Sequence, residues 1–164
     1  VSAEDLNLIL EAATYAPSGM HLETWHFTAI QNKEVLEELN EIKGAFAKSD
    51  DLHTRERGHS QTYCCYYHAP TLVIVSNEPD KWWAGMDCAC ALENIFLQPS
   101  PSASVPAGLT SWGRPATTRC PRFLTKLGVP ESHKVYAAQP WDMLPPYAPV
   151  KEKKVKEGTV TIIR

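Results

Sequence analysis

The stretch "ILEAATYAPSGMHLETWHFTAIQN", residues 9–32, changes its hydrophobic period in the middle. Ile9, Leu10 and Ala13, with Leu6 just upstream, recur at helical spacing. Ser2, followed three residues later by Asp5, supplies a helix N-cap signature. Together they predict a helix over about residues 3–14. Pro17, Ser18 and Gly19 then make a turn, because proline presets its own φ and glycine tolerates the left-handed region. Residues 25–30, aromatic and β-branched, read as a strand.

The same reading extends outward. Residues 33 to about 48 return to helical spacing through Val35, Leu36, Leu39 and Ile42, which predicts one continuous helix. The polar run from Ser49 to Gln61 is expected to be an exposed loop. Residues 69–76 form an unbroken apolar run, the pattern of a strand covered on both faces. Residues 83–97 form a second strong helix, apolar almost all the way round. It is expected to be the most buried element, or to lie at a subunit interface. Short strands are expected at 134–138 and 159–163. Strands and helices mixed in this order make an α/β or α+β fold, a sheet sandwiched by helices, in a single domain over residues 1–164. No internal repeat is visible.

Composition excludes several function classes. The chain has 164 residues, 43% of them hydrophobic, and a formal charge of -3. That is enough for one core and too little for two comfortable domains. It carries no basic excess to attract nucleic acid and no apolar run of membrane-spanning length. No charged segment leads into an apolar one as in a secretory signal, so a soluble, cytoplasmic protein is expected. Cysteines stand at 64, 65, 88, 90 and 120. With no C-x-x-C pair to chelate, they read as reduced, packed thiols rather than metal ligands.

Three segments in register carry a resemblance: residues 9–32, "YHAPTLVIVS" (67–76) and "DCACALENIFL" (87–97). In this order and spacing the chain resembles the nitroreductase family of FMN-dependent oxidoreductases, over roughly residues 1–97 and again from 123. The resemblance implies an α+β, nitroreductase-like sandwich with a central, mostly antiparallel sheet flanked by helices, and a homodimer with the long helix at its interface. It implies FMN as cofactor, NAD(P)H as electron donor, and a small electron-poor acceptor such as a nitroaromatic or quinone. It places Pro17, Ser18, Gly19, His21 and Glu23 against the flavin across the dimer interface. Of the lysines at 151, 153, 154 and 156, Lys154 is the one it sets near the flavin phosphate; a solvated charge run is the other reading of that cluster. No side chain is assigned as catalytic, since the chemistry belongs to the cofactor.

The chain also departs from the family pattern. His21 stands where asparagine is usual and Glu23 where glutamine is usual, each one nucleotide from the expected codon. An amide both donates and accepts, whereas a carboxylate only accepts and adds charge, so Glu23 disfavours an electron-rich reduced flavin. Trp25 reads as core packing ahead of a direct flavin contact. The family opens with an arginine-bearing helix that holds the flavin phosphate, and residue 1 falls after the place where that helix ends. Prolines at 99, 101, 106, 115 and 121 interrupt the segment where the family continues its helix and then makes a glycine-rich turn. Read one nucleotide out of phase, with any synonymous codons, residues 98 to about 122 and 139 to about 146 admit the family's text. The expectation is that these are frameshifted segments; a family-specific proline-rich loop is the alternative. Two functions follow: an FMN-dependent NAD(P)H oxidoreductase, or a truncated, frame-damaged relative with weak or no flavin binding.

Overall fold

The computed structural model describes residues 1–41, 43–98, 121–141 and 159. Helix α1 spans Ala3–Thr14 and is capped as expected, with Ser2 Oγ accepting from the Asp5 amide at 3.0 Å. A single turn of 3₁₀ helix, Gly19–His21, leads into β1, His26–Ile30. β2, Thr71–Asn77, and β3, Lys134–Trp141, complete an antiparallel sheet of order β1-β2-β3 among the described residues. The register pairs Thr28 with Ile74 and Ile74 with Ala138.

β2 is apolar from Leu72 to Val75 and polar at Thr71, Ser76 and Asn77; both of its faces are covered, and all seven of its residues are buried. Side chains alternate across a strand, so Leu72 and Ile74 point to one side and Val73 and Val75 to the other. Leu72 and Ile74 pack with Leu36 and Leu39 of α2 (Lys33–Asn40), Phe46 of α3 (Lys43–Phe46) and Leu124 of α6 (Pro121–Lys126). Val73 and Val75 pack with Ile9 and Ala13 of α1 and with Leu92 and Ile95 of α5 (Ala84–Leu97). The result is the expected α+β sandwich, with a helix layer on each face of the sheet. Each aliphatic side chain so buried contributes about 1.5–3 kcal/mol.

Three expectations need correction. The helix expected over 33–48 is two helices, α2 and α3. The break comes where the Asn40 side chain turns away to accept from the Cys65 amide at 3.0 Å, and where Gly44, a weak helix former, follows. The polar run 49–61 is not a loop: it contains α4, Leu52–His59. Asp51 caps it by accepting from the Thr54 amide at 2.8 Å, and hydrogen bonding from the Thr54 side chain and then from its amide lowers the carboxyl pKa of Asp51. Gly58 lets α4 lie directly against the backbone of Phe46 and Ala47, where a Cβ would overlap. Finally, within the single chain β2 rather than α5 is the most buried element among the described residues. α5 buries a stripe of Ala84, Asp87, Cys88, Ala91, Leu92 and Ile95, while Met86 and Leu97 stay 50% and 69% exposed. A central strand is covered on two faces, but this helix is covered along one.

Of the segments expected to be frameshifted, residues 99–120 and 142–146 lie outside the described residues, as do the lysine cluster and residues 160–163 of the expected last strand. Gln98 ends α5 in an extended conformation, and α6 begins at Pro121. β3 runs beyond its expected end through Gln139, Pro140 and Trp141, which pair with Val73, Leu72 and Thr71.

Candidate active site turn

Between α1 and β1 the backbone takes up conformations that L-residues avoid. Met20, His21 and Glu23 have φ of 56°, 54° and 49°. Such left-handed residues cost of order 1–3 kcal/mol each and persist only where surrounding contacts enforce them. Met20, His21, Leu22 and Glu23 are exposed, so the contacts that enforce them come from beneath the turn.

Two residues of the α5 N-terminus supply these contacts. The Gly19 amide donates to Asp87 Oδ1 at 3.0 Å. The Trp83 indole packs so closely on Gly19 that a Cβ there would lie 2.6 Å from Cγ, and closer still to Cδ1 and Nε1. Only glycine fits under that ring. Within the turn, Ser18 Oγ accepts from the Glu23 amide at 3.2 Å. Buried polar atoms without partners gather here as well: Thr24 Oγ1, Trp83 Nε1 and Asp87 Oδ2 are three of the six such atoms among the described residues. Orphaned polar groups of this kind are uncommon in folded proteins.

The structure thus brings Pro17, Ser18, Gly19, His21 and Glu23 into one short exposed segment, with Ser18 and Gly19 half-buried against α5. Lys154 lies outside the described residues. Trp25 is half-buried and packs at the edge of the α1/α5 core, as the core reading requires. Just beyond the turn, at the same end of the sheet, Ser76 Oγ lies 3.2 Å from His133 Nδ1, and the rings of His26 and His133 meet edge to face at 6.2 Å. Burial, and then the neighbouring His26, lower the His133 pKa. Cys64, Cys65 and Cys88 are buried free thiols. Burial pushes Cys88, beside Asp87 in α5, up to about 12, so it is a protonated packing group at neutral pH.

Sequence reasoning missed Trp83 and Asp87. The available signal was a carboxylate inside the nearly continuous apolar run of α5, a position that demands a specific partner.

A helix-flanked antiparallel sheet with a strained, exposed turn pinned at one end defines this chain as an α+β sandwich. The chain belongs to the nitroreductase family, whose model matches residues 1–139. The crystal structure of a nitroreductase with bound FMN from Bacteroides fragilis is 62% identical; it aligns over 100% of this chain and 89% of that one, with a TM-score of 0.85. A Staphylococcus epidermidis protein with the provisional name NAD(P)H nitroreductase is 51% identical over 39 residues, 24% of this chain and 18% of that protein's length. An Archaeoglobus fulgidus protein with the provisional name NADH dehydrogenase/NAD(P)H nitroreductase is 28% identical over 144 residues, 84% of this chain and 71% of that protein.

Proposed function

We propose that this chain is an FMN-dependent NAD(P)H oxidoreductase acting as a homodimer, with Pro17, Ser18, Gly19, His21 and Glu23 of one subunit presented to a flavin at the dimer interface. The observation that carries this reading is the strained turn at 18–23, held from beneath and exposed above, in a chain so similar to an FMN-bound relative. The residues present suit such a group. Met20, Leu22 and Trp82 are exposed apolar side chains fit to cover a flat ring, and the turn offers main-chain polar groups for its edge.

When bound, FMN supplies two-electron transfer between a nicotinamide donor and an electron-poor acceptor such as a nitroaromatic or quinone. The chain's own contribution is preorganisation. Because Asp87 and Trp83 already fix Gly19, the turn loses little further freedom when it receives a ligand. His21 can donate a hydrogen bond from its ring. Glu23 only accepts, and its charge opposes negative charge on a nearby ring. Lys154 is the proposed phosphate partner, through a charge-assisted bond.

The test is direct. FMN is titrated into the purified chain by flavin fluorescence, and the complex is treated with NADH or NADPH without oxygen, then with a nitroaromatic or quinone. Bleaching followed by reoxidation is expected. A chain that binds FMN tightly but accepts no electrons from either nicotinamide overturns the proposal. A second reading, a relative with weak or absent flavin binding, is supported by Glu23. Gln139 and Trp141 support it too, since their buried Oε1 and Nε1 have no partners in a stretch the resemblance reads as frameshifted. A dissociation constant of about micromolar or worse selects it.

A further inference from the structure

We infer that Asp87, together with Trp83, is a positioning residue that locks the 18–23 turn in its ligand-receiving shape; the ligand's identity as a flavin rests on the function proposed above. The turn carries three left-handed non-glycine residues within four positions, and an isolated segment of this sequence would relax out of them. Two contacts from outside the turn oppose that relaxation, and both come from the start of α5. Trp83 and Asp87 are four residues apart and so share a helix face. One closes over Gly19 with its ring and the other accepts the Gly19 amide.

Asp87 is a poor choice for stability alone. It is 5% exposed, and its Oδ2 has no partner, so the fold bears the desolvation of a carboxylate for one hydrogen bond. A leucine would occupy similar space at no such cost. Favourable interaction with the helix N-terminus explains an acid in the first turn of α5, but not one whose Oδ1 is directed 68 residues back to Gly19. What the carboxylate does supply is a charge-assisted bond, stronger than a neutral one, on the residue preceding the strained positions.

Amide hydrogen exchange on the flavin-free protein, joined to FMN titration, decides the matter. In Asp87→Leu, exchange at the Gly19 and Glu23 amides is expected to rise about tenfold or more, as for loss of one charge-assisted hydrogen bond, while the β2 amides are unchanged. FMN affinity falls by a similar factor. Asp87→Asn keeps an acceptor at Oδ1 without the charge, so both quantities are expected to fall between those of the parent and those of the leucine variant. Gly19→Ala displaces Trp83 and reproduces the Asp87→Leu signature from the other side, which keeps the test decisive if the leucine variant does not fold. Unchanged turn exchange in Asp87→Leu or Gly19→Ala overturns the inference. So does an equal rise in turn and β2 exchange, which marks a general structural role, and so does Asp87→Asn behaving as leucine does. If the parent chain binds no FMN, the proposed function falls while the exchange results still decide the lock.

Discussion

At the scale of single residues, Glu23 is the position where the proposed function sets a negative charge beside the flavin. Its carboxylate is exposed, at the end of a strained turn, and an amide of the same shape would both donate and accept there. Glu23→Gln is expected to tighten FMN binding about three- to tenfold at low ionic strength, with the gain shrinking as salt screens the charge. Fluorescence titrations at two salt concentrations check this, and weaker binding by the variant contradicts it. Gln139 poses a different problem, since it is fully buried and its Oε1 has no partner. Gln139→Leu removes that desolvated oxygen together with the bond Nε2 donates to the Pro140 carbonyl at 2.9 Å, and is expected to leave stability unchanged or raise it by up to about 1 kcal/mol, measured as the urea midpoint at constant m-value. His21 and Glu23 were legible in the sequence because they break a recognisable pattern. Asp87 was not, because its partner lies 68 residues away and no local spacing announces it.

At the scale of elements, the strongly periodic segments were readable and the polar one was not. α1 formed over its expected residues, with the expected cap, and β2 and α5 formed within a residue or two of theirs. α4 was missed because it is polar nearly throughout, with Leu52 its one large apolar residue, so its helical period carries no hydrophobic signal. It exists through the Asp51 cap and through docking against α3, and both depend on neighbours. α5 is held by its buried stripe. Ile95 is fully buried among Val73, Val75 and Ile9, so Ile95→Ala is expected to cost about 2–5 kcal/mol, read from chemical denaturation. Removing the cap of α2 acts more gently. Asn32 Oδ1 accepts from the Val35 amide at 3.1 Å, and Asn32→Ala is expected to cost about 1 kcal/mol.

At the scale of the whole molecule, acid sensitivity and assembly come to the fore. The folded-state pKa of His133 lies below its ordinary 6.5, chiefly through burial and then through His26, with Glu78 opposing. The unfolded chain therefore binds the proton more readily than the native one. The resulting stability is complete above pH 6.5 and is lost as pH falls through the lowered value. Denaturation midpoints are expected to fall on acidification below 6.5, and less steeply in His133→Asn; equal slopes in the two proteins refute the assignment. For assembly, Leu8, Tyr15 and Leu97 remain exposed along the groove between α1 and α5, an apolar surface suited to a second copy of the chain. The proposed homodimer is expected to sediment as such, and Leu97→Glu to shift it toward monomer. Sedimentation of the parent as a monomer at all concentrations excludes it.

By itself the sequence determined the alternation of helix and strand, the doubly covered strand at about 69–76, the turn at 17–19 and the family resemblance. Each is written in local spacing, in residues whose chirality, branching or side-chain oxygens constrain their own few neighbours. Only the tertiary structure decided that α4 is a helix, that β3 continues to Trp141, and that β2 rather than α5 is most enclosed. It alone showed that the turn is strained and pinned by Trp83 and Asp87. Those outcomes depend on pairings between residues far apart in the chain, where close packing and the bonding of buried polar atoms outweigh local propensity.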